Sequence, residues 1–277
     1  MIKSNINHPN ITAIIVAKDE AKMIVNCINT LWWCDEILVV DCASNDDTAK
    51  LAETAGARVV SFSHKSMAKT RNEALKRVKT QWMFYVDADE RVTPTLAKEI
   101  MVWLETSTAA ALKIPRQNVH YGKIMQHGGW EQDYVTRVFN KAHFQNWFGD
   151  IHESPKFEGE LIELQSPLIH LTHRNTIDGL QKTMSWTPIE ADLLAIAGSK
   201  PVKIRTILRK GIMEFVRRGV FKLGFRDGVE GWIEAIVQGM NRMLVYTQLW
   251  EKQRKPSLDE TYQQIEQKIF KMWQDEQ

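Results

Sequence analysis

Short apolar, β-branched runs that alternate with helical spacing constrain this chain more than any other feature. Ile11–Val16 leads through Ala17-Lys18-Asp19-Glu20 into a helical pattern marked by Ile24, Cys27 and Ile28. Glu36–Asp41 repeats the design: Ser44-Asn45-Asp46-Asp47-Thr48 supplies cap-type residues before a helix over Ala49–Ala55, and Gly56 ends it. Arg58–Phe62 reads as a third strand and Met67–Val78 as a third helix. Strands that alternate with helices build βαβ units, so the expected fold class is α/β, with a mostly parallel central sheet flanked by helices. In such a sheet Asp19, Asp41 and Asp87 each follow a strand and fall on one rim, where open α/β folds bind ligands.

The run Trp82–Val86 ends directly in Asp87-Ala88-Asp89-Glu90. Two carboxylates one residue apart suit a hard divalent cation, and Mg²⁺ commonly combines one or two carboxylates with substrate phosphates. A nucleoside diphosphate is therefore the expected ligand. Taken alone, the four residues favour a strand that ends in a solvated acidic turn.

Four segments then combine in order and spacing: Ile14–Glu20, Asp35–Thr48, Arg71-Asn72-Glu73-Ala74-Leu75 and Asp87-Ala88-Asp89-Glu90-Arg91. They resemble the family 2 glycosyltransferases of the GT-A fold. The likeness continues through Gly128-Gly129-Trp130, Arg137-Val138-Phe139, Ile151-His152-Glu153 and Gly224-Phe225-Arg226-Asp227-Gly228, and is similar to the lipopolysaccharide-core β-1,4-glucosyltransferase branch. The resemblance implies an inverting transfer of a hexose from a nucleotide sugar such as UDP-glucose, with Mg²⁺ or Mn²⁺. It places Ala17, Asp19, Glu20, Asp41, Ser44, Arg71, Asp87, Ala88 and Asp89 around the donor, Asp41 on the uracil and Arg71 near the phosphates. Asp89 and Asp87 would hold the metal, with His170 as a further ligand, although a histidine in Pro167–His173 also reads as a satisfied core residue. An inverting mechanism needs one general base. The likeness points to Glu153, with Asp133 in reserve. Trp130, Glu131 and Arg137 are expected on the acceptor side, and Trp130 reads equally as a saccharide platform or as a packed core residue.

Past Thr176 the strand signals stop. Helices are expected over Thr176–Ala197, from Pro201, and over Gly224–Trp250, with a last polar helix from Leu258, so the chain divides into a catalytic domain over 1–175 and a helical extension over 176–277. From Lys200 to Arg226 nine basic residues stand against Glu214 alone, a net +8 in a chain that totals +2. Apolar residues interleave with them, which fits either an anionic membrane interface or a packed helix with a solvated basic face. A glycolipid acceptor would make the membrane placement useful.

Three cysteines, Cys27, Cys34 and Cys42, are too few for a disulfide framework. Met1–Asn10 is polar, unlike a signal peptide, and no run of about twenty apolar residues suggests a spanning helix. The expected location is the cytoplasm, with peripheral contact at the inner face of the cell membrane. No nucleic-acid reader motif accompanies the basic stretch, and no nucleic-acid partner is expected. Two other classes fit the same fold: a catalytically silent saccharide-binding or scaffold protein, and a nucleotidyltransferase, which would usually carry a glycine-rich basic loop where this chain has Ala17-Lys18-Asp19-Glu20.

Overall fold

The computed structural model describes residues 10–62, 64, 66–131, 133–149 and 153–276. They fall into two compact units, one running to Val119 and resuming over Trp130–Thr172, the other comprising His120–Gly129 and the chain from His173 onward.

In the first unit the elements follow as β1 (Ile11–Ala17), α1 (Ile24–Ile28), β2 (Glu36–Asp41), α2 (Thr48–Thr54), β3 (Arg58–Ser61), α3 (Met67–Leu75), β4 (Trp82–Val86), β5 (Glu90–Val92), α4 (Pro94–Thr106) and β6 (Ala111–His120). After the short β7 (Lys123–Ile124), whose residues belong to the second unit, come β8 (Asp133–Asn140), β9 (Phe144–Phe148), β10 (Ser154–Phe157), β11 (Leu161–Glu163) and β12 (Leu168–His170). The main sheet runs β3-β2-β1-β4-β8-β6-β12-β5. Its first four strands are parallel, whereas β8 enters antiparallel between β4 and β6, and β5 returns antiparallel to β12. The parallel half follows from the alternating βαβ pattern. The mixed half follows from a chain that, beyond α4, runs from strand to strand without helical crossovers.

Both faces of β1 are covered, so its sequence lacks the apolar–polar alternation of a half-exposed strand. Ala13 and Ile15 pack with Phe84, Val86 and Leu112 on one side, Ile14 with Leu38, Val40, Met83, Tyr85 and Phe139 on the other. These two layers fix the register that brings Ala17 opposite Asp41 and Ile15 opposite Val86. The carboxyl ends of β2, β1 and β4 therefore share one rim.

The second unit is built on α5 (Thr176–Ile196), α6 (Ile204–Val216), α7 (Gly228–Gln253) and α8 (Leu258–Asp275). It also takes residues 120–129, which the sequence alone assigned to the amino-terminal domain. Asp227, 3 % exposed, explains why: its Oδ2 accepts from the backbone N–H groups of Gln126 (3.1 Å) and His127 (2.8 Å), and Lys123 Nζ donates to its carbonyl at 2.6 Å. The helix expected from Pro201 starts at Ile204, because Val202 N–H is held by Gln253 Oε1 at 2.8 Å and keeps the preceding residues extended. Likewise α7 begins at Gly228 rather than Gly224, since Gly224–Asp227 forms a 3₁₀ turn.

That turn leaves no room on the first helical turn of α7. A Cβ at Gly231 would fall on the Gly224 carbonyl oxygen, and one at Gly224 would stand 2.6 Å from the Arg218 carbonyl oxygen. Both obstacles are backbone, which cannot swing aside as a side chain can. Gly231→Ala is expected to cost about 1–3 kcal/mol of stability, the usual penalty of overpacking, read as a lower urea midpoint by far-ultraviolet circular dichroism; an unchanged midpoint would contradict the close approach.

Candidate functional site

Loops that leave β1 and β2 are laced to each other. Asp19, in the left-handed region at φ 56°, donates its N–H to Ser44 Oγ (2.9 Å) and accepts from Asn45 N–H at Oδ1 (2.6 Å). Glu20 N–H donates to Thr48 Oγ1 at 2.7 Å, and Ala21 N–H to Asp46 Oδ2 at 3.0 Å. Below them Ala17 is buried, and its carbonyl receives Cys42 N–H at 2.8 Å. Asp41 ends β2 and is 6 % exposed. Ser44 N–H reaches its Oδ2 at 3.4 Å, while its Oδ1 has no hydrogen-bond partner among the described residues. A buried acceptor left open in this way is costly unless a ligand completes it.

At the end of β4 the acids form an ionic network rather than a solvated turn. Arg137, on β8 and 6 % exposed, pairs with Asp87 through Nη2 and with Glu90 at 2.7 Å. Arg116 continues the chain, with Nη1 3.3 Å from Glu90 and its Nε and Nη2 on Asp133 Oδ2 at 2.8 and 2.7 Å. Glu90 is fully buried, and its Oε2 accepts the backbone N–H of Asp87 at 2.9 Å. Burial opposes the charge on Asp87, yet the Arg137 and Arg71 guanidiniums outweigh it and hold this carboxyl below its ordinary range. Glu90 goes the other way: burial pushes its carboxyl up, only partly offset by Arg137. Arg137 itself is raised, because the two carboxylates more than compensate its own burial.

Arg71, from α3, lies across this network on an aromatic bed, its guanidinium 4.5 Å from the Trp147 ring centroid and 5.6 Å from that of Tyr85. It stands 3.7 Å from Asp87 Oδ1 and 3.4 Å from Glu153 Oε1. Glu153 is thus brought to the same arginine as Asp87, although Ile151 and His152 of its motif lie outside the described residues.

Ala88 and Asp89 complete the turn. Ala88 is buried and its carbonyl accepts from Arg91 at 2.8 Å. Antiparallel pairing of β5 with β12 sets His170 opposite Glu90, which carries the histidine to Asp89, Nε2 to Oδ2 at 3.3 Å. Asn118 fixes the ring: its amide nitrogen donates to Asp133 at 2.9 Å, so its oxygen faces His170 Nδ1 at 2.7 Å and takes the proton there. His170 Nε2 is then the ring nitrogen left to face Asp89. A carboxylate oxygen and an oriented imidazole nitrogen side by side form a donor set that a divalent cation can use.

Most expected site residues therefore gather on this unit: Asp41, Arg71, Asp87, Asp89, Glu153 and His170. Three departures are clear. Arg137, expected beside the acceptor, is buried between Asp87 and Glu90. Asp133 is engaged by Arg116 and Asn118. Trp130 is half-buried beside the exposed Glu131, at neither of the extremes that the sequence offered. Glu90, Arg116, Asn118 and Trp147 were missed. Glu90 was visible within the acidic string, but its inward direction depends on the partner strand.

A family profile and full-length curated relatives point to one family. The profile described as "Glycosyl transferase family 2" matches residues 12–156. An uncharacterized glycosyltransferase of Rickettsia bellii (strain RML369-C) is 26 % identical over 254 residues, covering 87 % of this chain and 86 % of its own. The lipopolysaccharide core biosynthesis glycosyltransferase LpsC of Rhizobium meliloti (strain 1021) is 24 % identical over 266 residues, covering 90 % and 96 %. Among solved structures, the mannosyltransferase PcManGT from Pyrobaculum calidifontis in complex with GDP-Man and Mn²⁺ aligns over 90 % of this chain and 89 % of its own, with 12 % identity and a TM-score of 0.49.

Removing Arg137 would leave the buried Glu90 carboxyl beside the part-exposed Asp87. Arg137→Met is expected to destabilise the protein by about 3–5 kcal/mol at neutral pH, the cost of an uncompensated buried charge. Without the cation both folded pKa values rise, and that of Glu90, already raised by burial, moves further above its unfolded value of about 4. A carboxyl raised in the folded state stabilises at low pH and loses that contribution as pH rises. The deficit relative to wild type should therefore widen from pH 4 to pH 7 in urea titrations, and a constant deficit would contradict the network.

Proposed function

Because the chain belongs to glycosyltransferase family 2, we propose that it moves a hexose from a nucleoside diphosphate sugar to a saccharide or glycolipid acceptor, with inversion at the anomeric carbon. The observation that carries this reading is the convergence on one sheet rim of the oriented Asp89–His170 pair and of Glu153, which meets Asp87 across Arg71.

The open Asp41 oxygen supports a uracil donor. The base offers an imide N–H that a carboxylate accepts, and a buried acceptor rejects bases without a donor there. UDP-glucose is the proposed donor. Arg71, pre-set on Trp147 and Tyr85, directs its guanidinium to the diphosphate. Asp89 and His170 would hold Mg²⁺ or Mn²⁺, whose positive charge, when bound, stabilises a departing diphosphate. Asp87 is a weaker ligand candidate, since its oxygens face Arg137 and Arg71.

Glu153 takes the proton from the acceptor hydroxyl as that oxygen attacks the anomeric carbon, and Arg71 positions its carboxylate. Asp133, the other candidate, is held by two donors and acts as a structural anchor for Arg116. The name of the Rhizobium relative supports a lipopolysaccharide-core type of acceptor.

A glycolipid acceptor also accounts for the surface of α6. Ile204, Leu208 and Ile212 recur every fourth residue on its exposed side, with Arg205 and Arg209 beside them and Phe221, 77 % exposed, just beyond. A neighbouring groove of about 530 Å³ combines Met213, Val216 and Phe221 with Lys210, Arg217 and Arg242. Apolar side chains rimmed by cations suit an interface with anionic lipid. No helix among the described residues is long and apolar enough to cross a membrane, so the reading is peripheral contact at the inner face of the cell membrane.

A panel of UDP-, GDP- and ADP-sugars with Mn²⁺ tests the assignment. UDP release is expected and should collapse in Asp89→Ala; no release from any donor would return the chain to a saccharide-binding scaffold. Glu153→Gln should lower kcat by roughly 10²–10⁴, the range of general-base catalysis, with little change in donor KM, whereas Asp133→Asn should not reproduce that pattern. In flotation with vesicles rich in anionic lipid, Leu208→Glu with Ile212→Glu should abolish binding; equal flotation of this variant would remove the membrane reading.

A further inference from the structure

His120, His173 and Glu234 lie far apart in sequence, on the end of β6, after β12 and in α7, yet they meet inside the second unit. Glu234 Oε2 stands 3.1 Å from His120 Nδ1 and 3.0 Å from His173 Nδ1. The two rings meet edge to face, centroids 4.7 Å apart. His120 is 0 % exposed and Glu234 1 %. We propose that these three side chains form a metal site for a borderline cation of the zinc class, separate in residues and in chemistry from the Asp89–His170 pair.

Four observations carry the proposal. Two nitrogens of the same kind and one carboxylate oxygen converge on a single point, the three atoms all within 4.8 Å of one another. Donors bound to zinc at about 2.0–2.2 Å in tetrahedral array lie roughly 3.3 Å apart, so the two nitrogen–oxygen separations are within a few tenths of an ångström of that value, while the nitrogens, within 4.8 Å of each other, close on an ion by a small turn of the rings. The second oxygen of Glu234 is tied by Gln238 Nε2 at 2.8 Å, the outer-sphere restraint that aims a carboxylate at a metal. His173 sits at φ +42°, strained for a side-chain-bearing residue, and Tyr121 N–H pins its carbonyl at 3.0 Å.

Tyr121 lies next to His173. Its hydroxyl is buried and has no hydrogen-bond partner among the described residues. A Cβ at Gly179 would stand 3.9 Å from both Tyr121 Oη and His173 Cγ, so the phenol and the imidazole border the same space. Two imidazoles favour zinc or a late first-row ion over Mg²⁺ or Mn²⁺, which prefer oxygen. Because the set is buried, the ion's role is structural, joining a strand end, a strained turn and a helix within one unit.

The competing account is a hydrogen-bonded triad in which the imidazoles donate their Nδ1 protons to Glu234. The full-length protein, produced with zinc in the medium and purified without chelator, decides between them. Elemental analysis is expected to find about one zinc per chain, retained in Asp89→Ala and lost in Glu234→Gln. A strong chelator should lower the melting temperature of the wild type, and Zn²⁺, but not Mg²⁺, should restore it; this arm needs no variant to fold. A wild type that carries no zinc and melts alike with chelator and with Zn²⁺ overturns the proposal, as does a folded Glu234→Gln that keeps its zinc. Because the Asp89→Ala arm leaves these three ligands intact, a failure of the donor-site reading would not be mistaken for a failure here.

Discussion

The first unit depends on Arg137, wedged between Asp87 and Glu90 beneath the sheet rim. Carboxylates crowded where three parallel strands end would repel one another, and a buried Glu90 would otherwise stay protonated. One guanidinium relieves the first difficulty and offsets part of the second, because its planar fork reaches two acids at once and stays charged when buried. With Asp87 committed there, Asp89 is left to turn toward His170. The division of labour between two aspartates one residue apart thus comes from a cation on a neighbouring strand. Nothing in the acidic string itself determines it.

A second constraint acts through aromatic packing. Trp147 and Tyr85 meet edge to face at 5.0 Å, and Arg71 lies against both. Asn72 anchors the same strand from α3: its side chain donates to the Trp147 carbonyl and accepts the Trp147 N–H, each at 2.8 Å. α3 and β9 are therefore clamped together at the point where Arg71 emerges. The arginine that faces Asp87 and Glu153 is oriented before any ligand arrives, which lowers the ordering cost of binding an anion.

Local pattern made the parallel half of the fold legible, and the reason is physical. Buried βαβ strands are short β-branched runs, and their helices carry their own start and stop signals, as with Gly56 after α2. Acids that follow such strands were bound to share a rim. The mixed half escaped because antiparallel insertion of β8 and pairing of β5 with β12 are long-range choices without a local signal. The direction of Arg137 was lost for that reason: Val138 and Phe139 pair with Phe84 and Met83 of β4, which carries Arg137 to the rim where β4 ends. The membership of residues 120–129 in the helical unit was equally hidden, resting on an aspartate a hundred residues away.

Chemical hardness would separate the two cation sites proposed for this chain. At Asp89 an oxygen donor and one imidazole sit beside a rim where diphosphate oxygens would complete the coordination of Mg²⁺ or Mn²⁺, so the ion can arrive and leave with its ligand. Around Glu234 two imidazoles and a carboxylate converge in the interior with a phenol beside them, and an ion held there would exchange slowly. A catalytic site needs the first behaviour because the diphosphate must depart after each turnover. A joint between a strand end, a strained turn and a helix would need the second, since its usefulness lies in not letting go.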